Sequence, residues 1–146
     1  MKVLMTPHVE HYTIGLSEEL SKYVDVTLLT SKQFHTRVKQ IIVPSSTIPY
    51  FSILVKYIVF KLIGAHYDVI HVNSSLDGLL IGNFNRLLVT EHGCPDPRVV
   101  EKSEQKYYLR ERNALLKLYE IGVPLVTVSK YSAEMLAKPM ELKFEM

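Results

Sequence analysis

Apolar runs punctuated by abrupt polar stops organise this chain. Lys2 to Thr6, Val24 to Thr30, Val38 to Val43, Asp68 to Asn73, Arg86 to Thr90 and Pro124 to Ser129 each read as a strand. The run Leu87-Leu88-Val89-Thr90 lacks the in-out alternation of a half-exposed strand and suits one covered on both faces, as in a parallel sheet. Between the strands the period changes. Ile14, Leu16, Leu20 and Tyr23 recur at helical spacing within Tyr12 to Tyr23. Tyr50 to Gly64 predicts an apolar helix with a glycine stop, Ser74, Ser75 and Asp77 suit the start of a short helix through Phe84, and Val99 to Ile121 predicts a long charged helix closed by Gly122. Tyr131 to Ala137 begins a last helix, which Pro139 is expected to interrupt. The links are polar: a basic loop from Ser31 to Lys39, and a Pro/Ser/Thr loop from Pro44 to Pro49.

Strands alternating with helices over a whole chain imply an α/β fold. The expectation is a doubly wound, mostly parallel sheet of about six strands with helices on both faces, because each parallel strand needs a crossover. Ligands of such sheets bind outside the carboxyl ends of the strands. The residues just past those ends are Pro7, His8, Glu10 and His11, then Ser31, then Asn73 and Ser74, then Glu91, His92 and Gly93, then Ser129 and Lys130. Of the six histidines, His8, His11 and His92 fall on this rim and His71 lies two residues inside it. Gly93 is expected to allow a turn that a side chain would obstruct, and Pro95 and Pro97 to stop the strand.

Composition narrows the function. The chain has 146 residues, the size of one ordinary domain, with 47% apolar and 22% charged residues, as in a soluble globular protein. A formal net charge of +2 gives no reason to expect a nucleic-acid partner. The single cysteine, Cys94, permits no internal disulfide and fits a reducing compartment. No stretch reads as a signal peptide or is long enough to span a bilayer.

Three strand-end pieces carry a family likeness: Tyr-Asp-Val-Ile-His-Val at Tyr67 to Val72, Leu-Val-Thr-Glu-His-Gly at Leu88 to Gly93, and Val-Thr-Val-Ser-Lys-Tyr-Ser-Ala-Glu-Met-Leu at Val126 to Leu136. In order and spacing they resemble the N-terminal Rossmann-like domain of GT-B glycosyltransferases of family 4, and the resemblance covers nearly the whole chain. It implies transfer of a sugar from a nucleotide sugar to a sugar or lipid-linked acceptor, with no metal and no cofactor. His92 matches the family histidine that sits in the interdomain cleft and reaches the transferred sugar. Ser129 and Lys130 match a short motif before the domain's last helix. At the first loop the chain departs from the family, since paired glycines are replaced by histidines and Glu10, with only Gly15 further on. At Asn73 it has asparagine where the family often has a second histidine. The nucleotide sugar is held mainly by a second Rossmann-like domain that residues 1–146 do not contain. The chain is therefore expected to be a single acceptor-side domain, inactive alone, that meets its other half in cis or as a partner subunit.

The expected catalytic residues are His92 and Glu91, and the expected substrate-binding residues are His8, His11, Asn73, Ser74 and Gly93. Each has a plainer alternative. A strand-end histidine can bond a neighbouring carbonyl, and Glu91 can pair with Lys130 instead of orienting an acceptor hydroxyl. His8-Val9-Glu10-His11 invites a zinc reading and a metal-dependent hydrolase, but its spacing matches none of the common zinc signatures, so the loop presents these groups to an acceptor or to water. Arg98, Lys102, Lys106 and Arg110 recur every four residues. They form either a solvated face relieved by Glu101, Glu104 and Glu111, or a contact for anionic head groups that would place the protein peripherally on the inner, cytoplasmic face of a membrane. Tyr50 to Gly64 is expected to be buried, with insertion at a bilayer interface and docking of a partner subunit as alternatives. The function from another class is a noncatalytic binding module with the same fold.

Overall fold

The protein, described from a computed structural model, is defined for residues 1–43, 49–82, 85–93, 95–96 and 98–140. The expected loop at 44–48, the helix end at Phe84, and Cys94 and Pro97 lie outside the described residues. In order the elements are β1 (Lys2–Met5), α1 (Glu10–Ser21), β2 (Asp25–Thr30), β3 (Lys39–Ile42), α2 (Pro49–Ile63), a 3₁₀ turn (Gly64–His66), β4 (Val69–Val72), α3 (Ser75–Ile81), β5 (Leu87–Glu91), α4 (Lys102–Glu120), β6 (Leu125–Thr127) and α5 (Lys130–Met140). The six strands form one parallel sheet in the order β3-β2-β1-β4-β5-β6, with helices around it. The order reverses direction between β1 and β4, as a doubly wound sheet requires.

The chain divides into two compact units, Met1–His71 and Val72–Met146. In the first unit, Val3, Leu4 and Met5 of β1 are all buried, so successive side chains on both faces are covered. Met5, Val26, Leu28, Phe34 and Val38 form a cluster against which Ile14, Leu16, Leu20 and Val24 pack. Burying each such aliphatic or aromatic side chain contributes roughly 1.5–3 kcal/mol. α1 starts at Glu10, two residues before the expected Tyr12, because Thr13 organises the turn ahead of it. The Thr13 hydroxyl accepts from the His8 N–H (2.9 Å) and donates to the Val9 carbonyl (2.9 Å), which also accepts the Thr13 N–H.

α2 differs from expectation. Phe60 is buried, but Leu54, Tyr57, Ile58 and Leu62 are exposed and lie along one face, with the Lys61 ammonium 5.4 Å from the Tyr57 ring centre. A helix apolar on most sides has more apolar surface than one sheet can cover, and here the surplus faces outward. Among the described residues no helix is long and apolar enough to cross a membrane.

In the second unit α3 packs closely through Gly78. A Cβ there would lie 2.7 Å from Val89 Cγ2 and 3.1 Å from Leu118 Cδ1, so the absence of a side chain sets how near α3 comes to β5 and α4. α4 begins at Lys102, later than the expected Val99. The preceding backbone is committed to a turn in which Arg98 N–H bonds Asp96 Oδ1 (2.9 Å) and Val99 N–H bonds the Asp96 carbonyl (3.0 Å). α5 runs through Pro139 to Met140 instead of stopping before it. The proline falls in the last turn, where the missing N–H breaks only one helical bond. At the other end Ser129 caps the helix, its Oγ accepting the Ser132 N–H at 3.0 Å.

Candidate active site at the strand ends

The second unit brings Asn73, at the carboxyl end of β4, against His92, just past β5. His92 Nε2 lies 2.9 Å from Asn73 Oδ1, and Asn73 is buried while His92 is half-buried. A parallel sheet delivers residues that follow neighbouring strands to the same rim, which is why positions well apart in sequence meet. With Oδ1 facing it, Nε2 carries the proton, and a neutral imidazole then has its lone pair on Nδ1. The buried amide therefore sets both the tautomer and the ring orientation of a histidine that remains partly open to solvent.

Glu91 is placed differently from its neighbour. It is buried, and its Oε1 accepts the Gly93 N–H at 3.3 Å. Burial, and then the nearby Glu111 carboxylate, push its pKa up to about 7, opposed by backbone hydrogen bonds from Gly93 and His92 and by the Ser75 hydroxyl. Ser75 Oγ is close enough to act on the carboxyl, yet neither it nor Glu91 Oε2 closes a hydrogen bond of good geometry. The charge that Glu91 feels most strongly is thus Glu111, not Lys130, and the expected ion pair is replaced by a repulsive carboxyl pair. Folded back on its own loop, Glu91 holds the segment that carries His92.

Gly93 is needed for its backbone. Its φ of +152° is one that L side chains rarely adopt, which is the turn the sequence led us to expect, and the obstruction is to the residue's own backbone, since a Cβ there would meet no other group within 4 Å. Ser74 occupies the N-cap position of α3 and accepts the Gly78 N–H through its carbonyl (3.0 Å), without a side-chain cap bond.

His8 and His11 belong to the first unit. His8 follows β1, with its pKa lowered by partial burial, and His11 is exposed in the first turn of α1. Glu10 is bound to Lys32 (2.7 Å), which takes it from the zinc reading. Among the described residues no three His, Cys, Asp or Glu side chains gather as a metal site requires. His71 lies inside β4, where burial lowers its pKa to about 4 and keeps it neutral.

Reasoning from the sequence missed Glu111 and Tyr107. Glu111 is buried, not part of a solvated face, and accepts the Tyr107 hydroxyl at 2.6 Å. A signal for it existed, since Glu111 falls in helical register with the buried Ala114, Leu115 and Leu118. Arg98 was expected to continue the basic stripe of α4. It precedes the helix, and its guanidinium instead holds Asp96, with Nε 3.0 Å from both carboxylate oxygens. That pairing keeps the Asp96 carboxyl well below the usual range.

No protein-family model matches the chain, and no curated protein matches it. Among solved structures, a glycosyltransferase from Rickettsia africae ESF-5 superposes with a TM-score of 0.64 at 19% identity, over 97% of this chain and 40% of that one. The epimerase Mth375 from the thermophilic, pseudomurein-containing methanogen Methanothermobacter thermautotrophicus superposes with a TM-score of 0.51 at 12% identity, over 86% of this chain and 50% of that one. At these identities the likeness is one of fold, and the fold is Rossmann-like. The chain spans half or less of each of these proteins.

Proposed function

We propose that this chain is the acceptor-side part of a GT-B glycosyltransferase, which moves a sugar from a nucleotide sugar to an acceptor. The observation that carries the reading is the Asn73–His92 pair at the carboxyl rim of a parallel sheet, a partly open imidazole held in one tautomer by a buried amide. Such a group can hydrogen-bond a sugar hydroxyl or share charge as the glycosidic bond breaks, the kind of stabilisation a preorganised polar group supplies. Glu91 acts as a positioning residue beneath the His92 loop. Ser74 and Gly93 flank the pair in sequence. The nucleotide sugar is held by a second Rossmann-like domain, joined in cis or as a partner subunit, and the isolated chain is inactive. The protein works in the cytoplasm, peripherally at the inner membrane face where its acceptor is lipid-linked, with Lys102, Lys106 and Arg110 toward anionic head groups. It uses no metal, organic cofactor or nucleic acid.

The test is transfer from a radiolabelled nucleotide sugar by the complete two-domain enzyme. His92→Ala lowers kcat by about 10²–10³-fold with little change in donor KM, the usual cost of losing one preorganised polar group. Unchanged turnover in that variant overturns the reading. The exposed stripe Leu54, Tyr57, Ile58 and Leu62 favours a second reading, a noncatalytic module that recruits a partner. On that reading stripe substitutions abolish function and His92→Ala does not.

A further inference from the structure

The loop beyond His92 forms part of a cavity of about 460 Å³, within the range of about 300–1,000 Å³ typical of small-molecule sites. Its wall is largely apolar, made by Pro95, Val99, Tyr131 and Leu136. Leu136 is buried and forms the base, whereas Val99 and Tyr131 are 79% and 72% exposed, so that an aliphatic and an aromatic side chain stand at the opening. Leaving such groups in water is unfavourable, and a ligand that covers them removes that apolar area from water. The charged groups on the wall are one carboxylate and one guanidinium, Asp96 and Arg112. Asp96 is further held by Arg98. A concave space of this volume with a largely apolar wall suits a small molecule with an apolar body.

From this cavity we infer that the acceptor is a neutral hydroxyl compound with an aromatic or alicyclic body, which lodges between Val99, Tyr131 and Leu136. Gly93 is both a wall residue of the cavity and the residue bonded to His92, so an occupant reaches the loop that carries the histidine. The inference rests on the glycosyltransferase reading and adds the class of acceptor to it.

The experiment titrates the 146-residue chain with 2-naphthol, followed by its fluorescence, and in parallel with methyl glucoside, followed by amide NMR shifts. The expected result is 2-naphthol binding at least tenfold tighter than methyl glucoside. Val99→Ser and Tyr131→Ser each weaken it severalfold, and both sites are exposed enough for the variants to fold, as circular dichroism would verify. Leu62→Ser, at an exposed apolar position of the other unit, leaves binding unchanged. Equal weak binding of the two probes, or no effect of the paired Val99 and Tyr131 substitutions, overturns the inference. The transfer assay separates the two proposals. Sugar transfer to polar acceptors by an enzyme that does not bind 2-naphthol removes the apolar acceptor and keeps the proposed function. Tight 2-naphthol binding by an enzyme that transfers no sugar keeps the cavity's ligand class and removes the proposed function.

Discussion

Replacing Glu91 with glutamine should stabilise the protein at alkaline pH and leave it nearly unchanged at acid pH. The Glu91 carboxyl is buried, faces Glu111, and has a pKa raised from 4.5 to about 7. In the unfolded chain it ionises near the lower value, so between the two the folded state binds more protons and stability falls as pH rises. The cost is absent below about pH 4.5 and complete above about pH 7, and at about 1.36 kcal/mol per unit of pKa it is on the order of 3 kcal/mol. Glutamine keeps the shape and an acceptor for the Gly93 N–H but cannot ionise. His71 acts with the opposite sign. Its pKa is lowered from 6.5 to about 4, so its contribution is full above pH 6.5 and is lost as pH falls toward 4. From about pH 4.5 to 6.5 the two slopes oppose each other, and the parent protein should have a nearly flat stability profile there. Glu91→Gln exposes the His71 slope, and its stability climbs through that interval. The assay is urea unfolding by circular dichroism at pH 4, 5.5, 7 and 8, comparing variant with parent. The difference should be close to zero at pH 4 and grow to about 3 kcal/mol at pH 8. A difference independent of pH, or a loss of stability at pH 8, would refute the buried-carboxyl argument.

Gly78→Ala should destabilise by up to about 2 kcal/mol, because overpacking against Val89 and Leu118 costs about 1–3 kcal/mol and is only partly offset by the helix-propensity gain of about 1 kcal/mol. Val89→Ala added to it should recover part of the loss in the same unfolding assay. Tyr107→Phe removes the donor to Glu111, should raise the Glu111 pKa further, and should cost about 1 kcal/mol, more at pH 8 than at pH 5. Ser129→Ala should cost about 1 kcal/mol and accelerate amide hydrogen exchange in the first turn of α5, most visibly at Ser132, whose N–H it caps.

The parallel direction of the strands follows from features that are local in sequence, whereas their order comes from the tertiary structure. Buried runs such as Leu87–Glu91, separated by helix-period segments, leave few ways to cover both faces, and a parallel sheet places Asn73 and His92 on a common rim. Each of those statements needs only the spacing of apolar residues and the stops after them, and the resemblance added which imidazole to watch. Tertiary structure decided what stands opposite each polar group. Glu91 faces Glu111 in place of Lys130, Arg98 is drawn to Asp96 and off the α4 stripe, and the apolar surplus of α2 points outward. Periodicity specifies which residues share a face of an element, while the partner across the gap, and hence the charge state, is set by packing between elements that no local pattern encodes. The cavity that Gly93 helps to line belongs to that second kind of information, since Val99, Arg112 and Tyr131 come together only once α4 and α5 are seated around the loop.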